Sequence, residues 1–180
     1  MTTTELWTGA RPLREALYGD LAWRRPHLLA RDLVLEAGSE RLAMLGWEKI
    51  FSMQATAIAA DGRWTIGRHM VGPLKSQVIV RDAASEAVVA TFERHWRGTG
   101  VVRFANGAEY RWARSGFWHP SWTWASNATE SLLAFRARIG FGVHMDMEVD
   151  PAAHRLGELP VLVLLGAYLM TMVVRRRRAH

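Results

Sequence analysis

Leu159–Val174 runs LPVLVLLGAYLMTMVV without a charge, and Arg175-Arg176-Arg177-Arg178 follows at once. A helix over these residues rises about 1.5 Å per residue and spans roughly 24 Å. The hydrocarbon core of a bilayer is about 30 Å thick and takes ~20 residues. A helix apolar on every side must be enclosed, by lipid or by protein. Arginines flanking a span stay on the cytoplasmic side. An anchor at 159–174 would therefore require export of the body, or passage of Arg175–Arg178 through the bilayer. The opening MTTTELWTGARPLREALYGD has early acids and no apolar h-region, so no signal peptide is expected and the body is expected in the cytoplasm. The first reading is a core helix over about 158–175. A C-terminal transmembrane helix at 159–174 is the alternative.

A buried helix needs a wall, and the sequence before it supplies strands. Asp61-Gly62 and Asn106-Gly107 are dipeptides favoured by two-residue type I′ hairpins. Looser turns sit at Ala37-Gly38-Ser39, Asp82–Ser85 and Ser126-Asn127-Ala128. Their spacing is that of successive hairpins in a β-meander. At the Asp61 hairpin, pairing Ala60 with Arg63 sets Ala59 opposite Trp64 and Ala57 opposite Ile66 on one apolar face. At the Asn106 hairpin, the equivalent pairing puts Val101, Arg103, Ala105, Ala108, Tyr110 and Trp112 on one face, with Arg103 out of place. Val143, Met145, Met147 and Val149 alternate with His144, Asp146, Glu148 and Asp150, and Pro151 ends that strand.

From Leu33 to Val149 the count is ten to twelve strands. A sheet that long closes, curls or splits. The expected fold class is mainly β: a closed antiparallel β-barrel of about 10–12 strands around a C-terminal hydrophobic helix. With 180 residues, one domain is expected. Residues 1–30 form a partly helical N-terminal segment packed on the barrel, with a short turn starting at Pro12, and residues 31–180 form the barrel.

Hairpins of the type Val78–Phe92 (VIVRDAASEAVVATF), followed by a final strand and a C-terminal apolar helix, resemble the tubby C-terminal-like superfamily, which includes the LURP-one-related proteins and phospholipid scramblases. The resemblance covers about residues 30–174 and lies in layout and hairpin style, without an invariant signature. It implies about twelve antiparallel strands around a central helix, with phosphoinositide or membrane-surface binding in tubby-type members and lipid transfer in scramblases. The scramblase features outside the barrel, a proline-rich N-terminal region and a cysteine cluster, are missing, and the bacterial-type branch fits best.

The chain has no cysteine, which excludes thiolate catalysis and Cys-based zinc. No H-E-x-x-H frame or assignable Ser/His/Asp set is present, so no catalytic residue, metal or cofactor is expected. Net charge is +6, of which Arg175, Arg176, Arg177 and Arg178 supply four. These four are the candidate contacts for anionic phospholipid, each near-surface base contributing about 1 kcal/mol. They also suit a helix C-terminus. Trp118 and His119, with Arg111 and Arg114, form a candidate aromatic and basic rim near Trp112, Phe117, Trp122 and Trp124, whose alternative role is core packing. The His144–Asp150 carboxylates read as a solvated outer face. The functional expectation is a monomeric, non-catalytic binding or scaffold protein that meets anionic lipid at the inner membrane face, with no nucleic-acid partner. A small-lipid carrier or enzyme with an internal cavity is the third class.

Overall fold

The computed structural model describes residues 11–27, 30–49, 52–73, 75–116, 121–126, 130–138 and 143–178, the side chains of 176–178 excepted. A short helix, α1 (Leu13–Ala16), comes first. The strands follow as β1 (Leu21–Arg24), β2 (Asp32–Ala37), β3 (Glu40–Gly46), β4 (Gln54–Ala59), β5 (Gly62–Met70) and β6 (Ser76–Asp82). They continue as β7 (Val88–Arg94), β8 (Gly100–Phe104), β9 (Glu109–Ser115), β10 (Ser121–Ser126), β11 (Glu130–Ala137) and β12 (His144–Val149). The last described element is α2 (Leu159–Arg178).

All twelve strands are antiparallel to both neighbours in sequence order, and β1 pairs with β12 to close the barrel. β1 falls inside the segment read as lying outside the barrel. Its register is Trp23 to Leu35 on one side and to Met145 on the other.

Alternation builds the interior. Inward positions such as Leu33, Leu45, Ala57, Ile66, Val80, Phe92, Val102, Trp112, Phe135 and Met147 are buried. α2 fills the space they enclose, and Leu159, Leu162, Val163, Leu165 and Ala167 have no exposed surface. The apolar segment is thus the barrel core, surrounded by protein. No helix among the described residues is long and apolar enough to cross a membrane.

Two hairpin registers differ from expectation. The first loop is Ala60-Asp61 and Gly62 is already in the strand, so Ala59 pairs with Gly62 and Ala57 with Trp64. A shift of two residues preserves the faces. Asp61 serves elsewhere: its carboxylate accepts the Leu13 backbone N–H at 2.8 Å, tying down the start of α1. The second loop is longer, spanning 105–108, and pairs Arg103 with Glu109 and Val102 with Tyr110. That one-residue difference turns β8 over, so Val102 and Phe104 point in and Arg103 points out. Arg103 then meets Glu109 at 2.8 Å and Glu93 at 3.3 Å, which explains a charge that the expected face could not.

The fit of helix to wall is closest at Gly166. A Cβ there would lie 2.4 Å from the buried Phe135 ring and 2.9 Å from Trp124 Nε1. Alanine gains about 1 kcal/mol of helix propensity over glycine. Overpacking a core that cannot yield costs about 1–3 kcal/mol. Gly166→Ala is therefore expected to lower stability despite its better propensity, measured as a fall in the denaturant midpoint. An unchanged or raised midpoint would mean that Phe135 can swing aside.

Candidate functional site

The meander gives the barrel two chemically different ends. Odd-numbered strands all finish at one end, here the mouth, and even-numbered strands finish at the other, the floor. Connections at the mouth carry Arg25, Arg31, Lys49, Lys75, Arg97 and Arg138 against one acid, Glu48. Connections at the floor, including the segment leading into α2, carry Asp61, Glu86, Asp150 and Glu158 against one base, Arg155.

α2 is oriented within this field. Glu158, just before the helix, accepts from Asn106 Nδ2 at 2.6 Å and from the Tyr110 hydroxyl at 3.2 Å, both near the floor. Burial, then the Glu158 charge and hydrogen bond, push the Tyr110 pKa up to about 12. The helix C-terminus emerges at the mouth. There the Tyr168 hydroxyl donates to the Met53 carbonyl, and Arg175 places its Cζ 5.6 Å from the centroid of the Trp47 ring.

Of the exposed large apolar side chains among the described residues, Tyr18 and Val88 lie at the floor and the others at the mouth. Met53, Met70, Val71 and Trp96 surround the mouth, and Trp96 is 81% exposed. Trp96 rides on the tight turn between β7 and β8 beside Arg97, whose φ of 57° is left-handed. Tyr18 stacks on His154 at 4.5 Å on the floor side.

Unsatisfied donors are also one-sided. Among the described residues, the buried side-chain nitrogens without a hydrogen-bond partner are Trp23 Nε1, Trp47 Nε1, Arg68 Nε, Trp122 Nε1 and His144 Nε2. Every one lies in the mouth half of its strand or just beyond it. His144 Nε2 is 3.5 Å from Asp146 Oδ1. Burial, then the Arg24 and Arg138 charges, lower the His144 pKa. Buried polar groups are normally paired, so unpaired buried nitrogens that all lie toward one end mark that end.

The expected site residues distribute unevenly. Arg175 is exposed at the mouth, and Arg176–Arg178 continue α2, their side chains outside the described residues. Trp118 and His119 lie outside the described residues too. Arg114 has the inward phase of Tyr110 and Trp112 and reaches the mouth, exposed. Arg111 has the opposite phase and sits on the outer wall, paired in register with Val101 and Ala125. Arg111 and Arg114 thus point to different faces. Trp112, Trp122 and Trp124 are core: Trp112 stacks on Trp122 at 5.6 Å, and Trp124 donates to the Leu162 carbonyl at 2.9 Å.

The His144–Asp150 stripe is an outer face. Asp146 pairs with Arg138 at 2.6 Å and Glu148 with Arg136 at 3.7 Å. No metal-binding group of these residues forms among the described residues. The cleft between α2 and the wall beside Phe92, Trp112, Leu169 and Met172 has room for about 30 Å³. A cavity needs about 10–15 Å³ of such space to hold one water, so the cleft takes about two waters and no acyl chain.

Sequence reading missed Arg25, Arg31, Arg68, Lys75 and Trp96-Arg97. The available signal was charge in every second connection, which emerges only when successive loops are sorted alternately.

The chain matches no protein-family model, no curated protein and no solved structure.

Proposed function

We propose that this chain is a non-catalytic tubby-like barrel that docks on anionic membrane surfaces with its mouth toward the lipid. The observation that carries this reading is the coincidence, at one end, of an excess of basic over acidic residues in the connections with Met53, Met70, Val71 and Trp96 exposed. Guanidinium and indole are the groups that bind anions and settle at lipid interfaces. At about 1 kcal/mol per near-surface base, Arg31, Lys49, Arg97 and Arg175 provide about 4 kcal/mol. That corresponds to binding in the millimolar range, before any insertion of Trp96.

Co-sedimentation with phosphatidylcholine vesicles, with and without phosphatidylglycerol, tests the reading. Binding is expected only with the anionic lipid and is expected to fall steeply as salt rises. Arg97→Glu, a reversal at the exposed mouth, is expected to weaken binding about 30-fold. Arg155→Glu, an equally exposed reversal at the floor, is expected to leave it unchanged. Equal partitioning onto neutral vesicles, or equal loss from the two reversals, would overturn the proposal.

A further inference from the structure

One sector of the mouth, where β3, β4 and β5 end or begin, holds more than diffuse positive charge. Arg68 is on β5, in phase with the inward residues Trp64 and Ile66, and its Nε is buried and unpartnered. Trp47, the residue after β3, is 5% exposed and its indole N–H is unpartnered. Arg175 lies over that indole ring. Tyr168, seven residues before Arg175 and so on the same face of α2, is fixed by its hydrogen bond to the Met53 carbonyl. Burial pushes the Tyr168 hydroxyl up to about 12, while the charges of Arg175 and Arg68 pull the other way. In the β4–β5 register Gln54 faces Gly67, which sets Arg68 beside Met53, the residue whose carbonyl Tyr168 holds.

A buried donor without an acceptor is costly, and this sector holds two, Arg68 Nε and Trp47 Nε1, with the Arg175 guanidinium over the Trp47 ring. One anion accepting from these groups supplies the missing acceptor. Guanidinium is a planar fork that matches phosphate oxygens in pairs. We infer that Arg68 and Arg175, with the indole N–H of Trp47, form a site for a single phosphate-type oxyanion in the β3–β5 sector of the mouth. This site deepens the docking proposal and rests on its reading of the mouth as an anion-facing surface. The phosphate is either a lipid headgroup or free in solution.

Titration of the full chain with inorganic phosphate at physiological salt, followed by calorimetry, tests the site directly. Saturable one-to-one binding is expected. Arg68→Gln and Arg175→Gln are each expected to weaken it about tenfold or more, while Arg155→Glu, at the floor, leaves it intact. Thermal melts establish that the variants fold, and Arg175→Gln, on the exposed end of α2, keeps the test open should Arg68→Gln not fold. A second arm compares phosphatidic acid with phosphatidylglycerol vesicles at matched surface charge. A preference for phosphatidic acid that Arg175→Gln abolishes identifies a headgroup as the source. Saturable phosphate binding without that preference identifies free phosphate.

The inference is overturned if neither saturable phosphate binding nor the phosphatidic acid preference is found, or if folded variants bind like the unaltered chain. Binding to phosphatidylglycerol that persists in that case leaves docking intact and removes only this site. Phosphate binding without any vesicle binding keeps the site and removes docking.

Discussion

A chain ending at Glu158 is expected not to fold. Leu159, Val161, Leu162, Val163, Leu164, Leu165, Leu169 and Met170 are at most 6% exposed. At about 2 kcal/mol per fully buried aliphatic side chain, their loss removes on the order of 15 kcal/mol. The net stability of a whole domain is about 5–15 kcal/mol. The inner faces of the twelve strands would be uncovered as well. Truncation should abolish the cooperative unfolding transition and the near-ultraviolet circular dichroism of the packed tryptophans. A soluble truncated chain with a sharp transition would show that the wall supports itself, as it would have to if 159–174 were an anchor.

Trp124→Ala is expected to be the most damaging single substitution in the wall, at about 3–5 kcal/mol. Trp124 has no exposed surface and meets Trp112 at 4.7 Å and Phe92 edge-on at 5.9 Å. Its indole N–H also donates to the Leu162 carbonyl, a buried bond that ties β10 to the helix. Trp124→Phe keeps much of the ring but removes the donor, and should cost about 1–2 kcal/mol beyond its loss of volume. The two variants together separate packing from bonding. Denaturant midpoints measure both, with an unchanged slope showing that the unfolded state is not the cause. A Trp124→Ala midpoint within error of the parent would mean that the wall is not packed on α2 at this point.

The fold was legible because its signals are local. Strict alternation at Val143–Val149 and the uninterrupted apolar run of α2 each admit few structures, and both appear as expected. Register was less legible, because a hairpin dipeptide locates a turn only to within a residue or two. The two-residue error at Asp61 was harmless to the faces, whereas the one-residue error at Asn106 reversed a strand. β1 was missed because Leu21–Arg24 is too short to show a period and is followed by Pro26.

The site was read mostly from the wrong scale. Arg175–Arg178 stood out as a contiguous run, but the remaining cations of the mouth are contributed one or two per loop across the chain. Arg111 and Arg114 looked alike in sequence, and only the phase of β9 separates an outer-wall arginine from a mouth arginine. Arg68 gave no sequence signal, because its interest comes from what surrounds it.

The core of this barrel is its last element. Each wall strand pairs with the strand before it as soon as the two are made, except for the β1–β12 seam. The ribosome therefore releases a nearly complete wall before the segment that fills it. Until α2 emerges, the inner faces have nothing to enclose, and the seam cannot close productively around an empty interior. Closure of the barrel is thus expected only once α2 has been made, in one step that inserts the helix and joins the first strand to the last. Exposed apolar strands before that step are the aggregation hazard of such a chain, and the time between finishing β12 and finishing α2 sets how long the hazard lasts.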